Sequence, residues 1–131
     1  MQVTTGVDMI EVGRIKKAIE ELGEAFLNKI YTKEEIAYCN GASSDMKYQH
    51  FAARFAAKEA TFKAISGYIK GREDALWKEI EIINEAGGRP KINLEKLQKQ
   101  GLKELKSIDV SLSHIKDYAV ASVSALFEEC Q

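Results

Sequence analysis

The sequence predicts an α+β fold in which an antiparallel sheet packs against one long helix and several short ones. The longest helical pattern covers residues 45–66, and its apolar stripe consists of Phe51, Phe55, Phe62 and Ile65. Residues 107–114 and 118–126 alternate around a short turn, which predicts an antiparallel hairpin. Since the 131 residues contain no repeat and no linker, we expect a single domain over 1–131.

The opening third of the chain predicts a strand followed by helices. Residues 3–10 are mostly β-branched or apolar, which predicts a buried strand with Asp8 inside it. Residues 13–22 place apolar side chains at helical spacing, and Thr32 with Glu35 fits a capping box that opens a short helix. We expect the other elements in this order: a helix over 24–30, a loop over 40–45, a strand over 78–84, a tight turn over 85–90, a short strand over 91–93 and a helix over 94–105 that Gly101 interrupts.

Charge and composition exclude several classes of protein. The net charge is −1 and the pI is near 6.2, unlike the strongly basic balance of a nucleic-acid-binding protein. No apolar run approaches the length of a membrane span, and the first ten residues do not resemble a signal peptide. Cys39 and Cys130 lie far apart, which favours two free thiols in a reducing compartment. We therefore expect a cytoplasmic protein with no nucleic-acid or membrane partner.

Asp8 is the first candidate functional residue, because a carboxylate inside an apolar strand is costly unless something neutralises it. One interpretation is structural: the side chain bonds to backbone amides at the end of the strand or caps the next helix. The other interpretation is a metal ligand. The strand pattern by itself leaves both open.

The long helix carries charges close to its apolar stripe. A helical wheel places Lys58 between Phe51 and Phe62, Glu59 at the edge of the stripe, and Lys63 one turn beyond Glu59. An ordinary i,i+4 ion pair at a boundary explains this pattern, and so does a polyanion site. Mg²⁺ uses only one or two protein carboxylates and keeps phosphate oxygens as further ligands, so two acids with nearby lysines would suit a pyrophosphate.

Two later segments offer further candidates. The turn at residues 87–90 contains Arg89, which could grip a phosphate, although a plain hairpin turn explains it as well. In the strand over 107–114, alternation puts Asp109 and Ser111 on one face and His114 on the other. A histidine at a strand end is often structural. The sequence has no nucleophile triad spacing, Walker loop or dinucleotide fingerprint.

Taken together, these segments resemble the motifs of the holo-acyl-carrier-protein synthase family. Residues 6–15, GVDMIEVGRI, are similar to its N-terminal motif, and residues 54–60, RFAAKEA, followed by Lys63 are similar to its second. The order and spacing agree over nearly the whole chain. The remaining motifs are WKEIEI at 77–82, GRP at 88–90, and VSLSH at 110–114 followed by Tyr118 and Ala119.

The resemblance implies a fold, an assembly and a reaction. The fold is the α+β fold of the 4′-phosphopantetheinyl transferases, and the assembly is a homotrimer with active sites between neighbouring subunits. The reaction is Mg²⁺-dependent attack by a serine of an acyl carrier protein on coenzyme A. It transfers phosphopantetheine, releases adenosine 3′,5′-bisphosphate and serves fatty acid biosynthesis.

The resemblance also implies residue roles. Asp8 and Glu59 would bind Mg²⁺, and Glu59, directly or through a metal-bound water, would take the proton of the serine. Lys63 would stabilise charge on the leaving nucleotide. The residues expected to contact coenzyme A are Arg54, Lys58, Lys63, Gly67, Arg89, Pro90, Ser111 and His114. The residues expected to dock the acidic carrier protein are Arg14 and Lys17, with Lys16 beside them.

The chain departs from the family pattern at two places. Asp109 stands where the last motif usually begins with histidine, and residues 66–68, SGY, replace the usual Gly-Thr-Gly. Asp109 would repel ligand phosphates if it faced them. Two other functions compete with the transferase. One is a Mg²⁺-dependent hydrolase of nucleotides or coenzyme A that uses the same acids with water as the acceptor. The other, motivated by Asp109, is a binding module that kept the fold without catalysis.

Overall fold

The computed structural model describes residues 1–69 and 77–128, and it confirms the α+β class. Helices fill most of the first half of the chain, and strands dominate the second half. The elements in chain order are β1 (Gln2–Glu11), α1 (Val12–Leu22), α2 (Glu24–Ile30), α3 (Lys33–Asn40), α4 (Ser44–Ile65), a 3₁₀ turn (Ser66–Tyr68), β2 (Glu81–Asn84), β3 (Pro90–Asn93), α5 (Glu95–Lys99), β4 (Leu105–His114) and β5 (Tyr118–Phe127).

The main sheet has three antiparallel strands in the order β1-β5-β4. The predicted hairpin of the last two strands is confirmed, and β1 pairs along its whole length with β5, so that Asp8 lies opposite Ala121. β2 and β3 form a separate two-stranded antiparallel sheet. The long helix α4 packs across one face of the main sheet, which leaves the other face open.

Small side chains hold α4 close to the sheet. The buried helix face presents Ala56, Ala57, Ala60 and Ala64, which pack against alanines and valines of β5. Gly6 of β1 lies so close to the helix that a Cβ atom there would be 1.9 Å from the backbone oxygen of Ala60. Because only glycine fits this contact, β1 and α4 approach more closely than ordinary strand–helix packing allows.

The prediction of a buried first strand is wrong for one of its faces. Val3, Val7 and Met9 are 66%, 60% and 67% exposed, whereas Gly6 is buried. The reason is that β1 contacts α4 through one face only, and alternate side chains point to opposite faces of a strand. The open side of the sheet therefore carries an apolar stripe.

Several predicted boundaries move. The helix expected over 94–105 reduces to α5, since Gly101 adopts a positive φ of 133° and β4 already begins at Leu105. α4 begins at Ser44, inside the loop expected over 40–45, because the Ser43 side chain accepts a hydrogen bond from the Met46 amide. The strand expected over 78–84 begins only at Glu81.

The helix at α3 confirms the predicted capping box. Thr32 Oγ1 accepts from the Glu35 amide and the Glu35 carboxylate accepts from the Thr32 amide.

Cys39 is fully buried as a free thiol, and burial raises its pKa to about 12. Cys130 lies outside the described residues. Among the helices that the structure describes, none is long and apolar enough to cross a membrane.

Candidate active site

Asp8 and Lys63 meet where β1 passes α4. Lys63 Nζ donates a hydrogen bond to the Val7 carbonyl oxygen at 2.9 Å and lies 3.4 Å from Asp8 Oδ1. The close approach at Gly6, two residues earlier in the strand, brings the Asp8 carboxylate within reach of the last turns of the helix. Asp8 is half-buried and Lys63 is exposed, so the contact lies at the surface.

Glu59 joins this pair from the preceding turn of α4. Burial raises the pKa of the Glu59 carboxyl, the negative charge of Asp8 raises this pKa further, and Lys63 lowers it. The two carboxylates thus repel each other across the contact between strand and helix. This mutual influence agrees with the convergence of Asp8 and Glu59 that the sequence motifs predict. We call Asp8, Glu59 and Lys63 the carboxylate corner.

The carboxylate corner fits a hard divalent cation. Ionised Glu59 bears a desolvation cost and repulsion from Asp8, and a cation between the two carboxylates would offset both. Within residues 1–69 and 77–128, no group of three His, Cys, Asp or Glu side chains could hold a metal ion. A two-carboxylate set suits Mg²⁺, which needs only one or two protein ligands beside phosphate oxygens and water, better than it suits a transition metal.

A cavity of about 180 Å³ collects several predicted ligand contacts. Arg54 of α4, Pro90 at the start of β3 and His114 at the end of β4 all line it, although they come from distant parts of the sequence. Two residues of the quoted motifs, Gly88 and Leu112, also line it. The wall is completed by residues that sequence reasoning did not single out: Tyr38, His50, Ala53 and Asn84. We call this space the arginine cavity.

Arg54 is held in the arginine cavity by two partners. Its guanidinium donates to Asn84 Oδ1 and lies over the Tyr38 ring, with Cζ 4.0 Å from the ring centroid. The Nε atom of Arg54 is buried and has no hydrogen-bond partner among the described residues. A fixed guanidinium beside an aromatic ring is a suitable environment for an anionic nucleotide.

His114 lies at the opposite wall and is fixed as well. Its Nδ1 is 2.7 Å from Gln49 Oε1, and its ring meets His50 edge-to-face at a centroid distance of 5.4 Å. Burial lowers the pKa of His50, and the nearby charges of Arg54 and His114 lower it further. His50 therefore favours its neutral form, which keeps Arg54 the principal cation of this cavity.

Arg89 and Ser111 lie in a different cleft, on the open face of the main sheet. This cleft of about 290 Å³ is lined by Arg89, Asp109, Val110, Ser111, Ser122 and Ser124. Arg89 Nη2 donates to Asp109 Oδ2 at 2.7 Å. The predicted alternation is confirmed, since Asp109 and Ser111 face this cleft while His114 faces the arginine cavity.

Lys58 does not face any of these spaces. Its side chain is 1% exposed, and Nζ donates to Trp77 O, Ile80 O and the Glu35 carboxylate at 2.7, 2.5 and 2.8 Å. All three ammonium protons are thus used inside the protein. The structure therefore does not support the predicted contact between Lys58 and coenzyme A.

The other predicted positions remain at the surface. Gly67 is exposed in the 3₁₀ turn, with no atom within 4 Å of the place where a Cβ would stand. The sequence also predicts that Gly67 and Gly71 end the long helix, and Gly71 lies outside the described residues. Arg14 and Lys17 are exposed on α1, and Lys17 lies 4.0 Å from Glu21. Their roles in ligand contact and carrier docking stay predictions.

Comparison with known proteins identifies the family of the chain. A family model described as the 4′-phosphopantetheinyl transferase superfamily matches residues 4–123, so the chain belongs to this family. A curated relative from Ruminiclostridium cellulolyticum, named holo-[acyl-carrier-protein] synthase, is 45% identical over 123 residues, covering 92% of this chain and 90% of the relative. The protein of the same name from Koribacter versatilis is 41% identical over 125 residues, covering 94% and 97%.

Solved structures of such synthases share the fold. The holo-(acyl-carrier-protein) synthase of Bacillus anthracis in complex with CoA (3′,5′-ADP) aligns with a TM-score of 0.74 and 32% identity, covering 93% of this chain and 94% of that one. The Helicobacter pylori synthase in complex with coenzyme A aligns with a TM-score of 0.77 and 28% identity, covering 93% and 99%. The resemblance inferred from the sequence motifs is confirmed.

Proposed function

We propose that this chain is a holo-[acyl-carrier-protein] synthase. It transfers the 4′-phosphopantetheine group of coenzyme A to a serine of an apo-acyl carrier protein and releases adenosine 3′,5′-bisphosphate. The supporting observation is the carboxylate corner, where Asp8, Glu59 and Lys63 converge from two elements at an accessible surface. The relatives named above, two of which are structures holding coenzyme A, support the choice of substrate.

Asp8 and Glu59 would hold Mg²⁺ in this enzyme. Bound there, Mg²⁺ would neutralise negative charge on the pyrophosphate, which is the main electrostatic demand of phosphoryl transfer. Lys63 lies beside Asp8 and would stabilise charge on the departing nucleotide. Arg54 and His114 would hold the nucleotide through the arginine cavity, and Arg89 and Ser111 through the cleft on the sheet.

Glu59 is the proposed acceptor of the serine proton. A carboxylate that holds a cation is a weak base, so Glu59 would accept the proton more readily through an intervening water than directly. Glu59 lies in the corner where the reacting phosphate is expected, and this position supports the assignment.

We further propose a homotrimer whose active sites lie between subunits. Lys63 and Arg54 are nine residues apart in α4, which places them about 180° apart around the helix and about 13.5 Å apart along it. One coenzyme A molecule would reach both cations most simply if two copies of the chain contributed them. The exposed apolar stripe of Val3, Val7 and Met9 offers a surface for that contact, and a monomer in sedimentation velocity at micromolar concentration would contradict the assembly.

We also propose that the protein is a cytoplasmic enzyme of fatty acid biosynthesis. A free buried thiol such as Cys39 persists in a reducing compartment. The acidic carrier protein would be recognised by exposed cations of α1, where Arg14 and Lys17 lie.

The test is incubation of the protein with apo-carrier protein, coenzyme A and Mg²⁺, followed by mass spectrometry of the carrier. We expect one added phosphopantetheine per carrier. Asp8→Ala and Glu59→Ala should each lower the rate by at least about 100-fold, because each removes a group that counters charge at the reacting phosphate. Unchanged circular dichroism spectra would serve as the folding control.

Three outcomes would contradict the proposal. Free hydrolysis products without a modified carrier would favour a hydrolase, and binding of coenzyme A without turnover would favour a binding module. A near-normal rate in either alanine variant would remove the metal assignment.

A further inference from the structure

The exposed ion pair between Arg89 and Asp109 joins two elements that are distant in sequence. Arg89 follows the turn between β2 and β3, and Asp109 lies in the middle of β4. Their side chains are 65% and 62% exposed, yet Arg89 Nη2 and Asp109 Oδ2 are only 2.7 Å apart. The pair is therefore held in contact at the surface, with solvent around both partners.

Among the described residues that line the cleft, Arg89 and Asp109 are the charged ones. The cleft that the two residues share is otherwise lined by Val110 and the hydroxyl-bearing residues Ser111, Ser122 and Ser124. Of the residues that line the cleft, Arg89 is the sole cation and Asp109 the sole anion. Hydroxyl groups next to a guanidinium form a typical setting for a phosphate group.

A carboxylate and a phosphate compete for the same guanidinium protons. Both anions use the planar fork of donors of an arginine, so an arginine bound to one must release it to bind the other. The pair is exposed, so solvent and salt weaken the attraction between Arg89 and Asp109. An anionic ligand can displace Asp109 at a modest cost in affinity.

From this geometry we infer that Asp109 is an internal competitor of the ligand phosphate for Arg89. In the free protein the Asp109 carboxylate occupies the guanidinium. When a phosphate group of coenzyme A or adenosine 3′,5′-bisphosphate enters the cleft, the Asp109 carboxylate separates from the guanidinium and remains nearby as a negative charge. Asp109 thus sets the affinity for the nucleotide without taking part in the transfer. The inference rests on the proposed function for the identity of the ligand.

The experiment compares the wild type with Asp109→Asn in calorimetric binding of adenosine 3′,5′-bisphosphate and in the KM for coenzyme A. We expect the variant to bind about two- to fivefold more tightly, the range that an exposed ion pair can supply. The KM should fall by a similar factor, with the change confined to KM. In an Arg89→Gln background, Asp109→Asn should have no such effect, because the contested cation is gone.

Glu95→Gln is a matched control. Glu95 is also an exposed acid in an ion pair, 3.2 Å from Lys99, and it does not line the cleft, so this variant removes the same net charge at a different place. Its affinity for the bisphosphate should equal that of the wild type. A gain in Glu95→Gln as large as that in Asp109→Asn would overturn the inference, since the effect would then come from net charge alone.

Other outcomes also overturn the inference. Weaker binding in Asp109→Asn would mean that Asp109 orients Arg89 for the ligand, and unchanged binding would mean that the two anions do not compete. The failure of the inference is separable from that of the proposed function. Transfer by the wild type with unchanged binding in Asp109→Asn removes only the inference, whereas absence of transfer by the wild type removes the function.

Discussion

Two carboxylate–lysine groups lie side by side on α4 and differ in almost every physical respect. Lys58 is fully buried with Glu35, and the pair satisfies its hydrogen-bonding groups within the protein. Glu59, the next residue, belongs to the carboxylate corner, which is half-open and keeps two acids against one lysine. The buried pair has no capacity left for a ligand, whereas the corner carries unbalanced negative charge that a cation can neutralise.

The difference shows that two adjacent charged residues of one helix, Lys58 and Glu59, have different roles, one structural and one functional. Glu35 accepts from the Ile82 amide at 2.8 Å as well as from Lys58, so the pair ties α3, α4 and β2 together. That anchoring holds α4 in place, and the neighbouring Glu59 is positioned as a consequence. A satisfied ion pair stabilises position, whereas an unsatisfied cluster is available for chemistry.

The largest expected effect comes from breaking the buried pair. Lys58→Met leaves Glu35 as an uncompensated buried carboxylate, which should lower the free energy of unfolding by about 3–5 kcal/mol. Urea unfolding measures this loss. The double variant Glu35→Gln with Lys58→Met should recover a substantial part of it, because no lone charge remains. A loss below about 1 kcal/mol in the single variant would contradict the structural role of Lys58.

The close contact between β1 and α4 predicts an intermediate effect. In Gly6→Ala the new methyl group collides with the Ala60 carbonyl oxygen, which should cost about 1–3 kcal/mol and move Asp8 away from Glu59. The melting temperature and the transfer rate should both fall. Gly13→Ala is the control. A Cβ at Gly13 of α1 meets no atom of the described residues within 4 Å, and alanine favours a helix over glycine, so this variant should lower neither the melting temperature nor the transfer rate. Normal activity in Gly6→Ala would contradict the link between this contact and the site.

The smallest expected effect concerns the charge of Glu59. The folded state raises the pKa of this carboxyl, so its ionisation weakens the native state once the pH rises above the unfolded value. In the absence of divalent cations, Glu59→Gln should therefore raise the melting temperature at pH 7. The corresponding gain in the free energy of unfolding should be less than about 1 kcal/mol. The gain should vanish as the pH falls below both pKa values. A variant less stable than the wild type at pH 7 would contradict the repulsion with Asp8.

Sequence patterns predicted the carboxylate corner but not its buried neighbour. Helical spacing placed Glu59 and Lys63 on one side of α4, and the family motifs supplied Asp8 as their partner. The same wheel put Lys58 on the buried face, yet nothing in the pattern pointed to Glu35, which a different helix brings to it. Contacts between residues far apart in sequence depend on tertiary packing, which local periodicity does not encode.

The arginine cavity and the open sheet face show the same limit. Arg54, Pro90 and His114 were predicted from motifs, whereas Tyr38 and Asn84 hold Arg54 from segments without a distinctive pattern. For Asn84 the sequence offers only its position, at the end of the predicted strand and next to the predicted turn over 85–90, whereas its hydrogen bond to the Gly88 carbonyl is visible only in the structure. For β1, an apolar run is equally compatible with one covered face or two, so the exposure of Val7 was not predictable from the run itself.

The burial of Cys39 has a practical consequence. A thiol with a pKa of about 12 and no solvent exposure holds almost no thiolate at neutral pH, so alkylating reagents cannot reach or use it in the native protein. Its modification requires the packing between α3 and α4 to open. Peptide-level mass spectrometry distinguishes Cys39 from Cys130. The rate at which Cys39 is alkylated would therefore measure how often that packing opens.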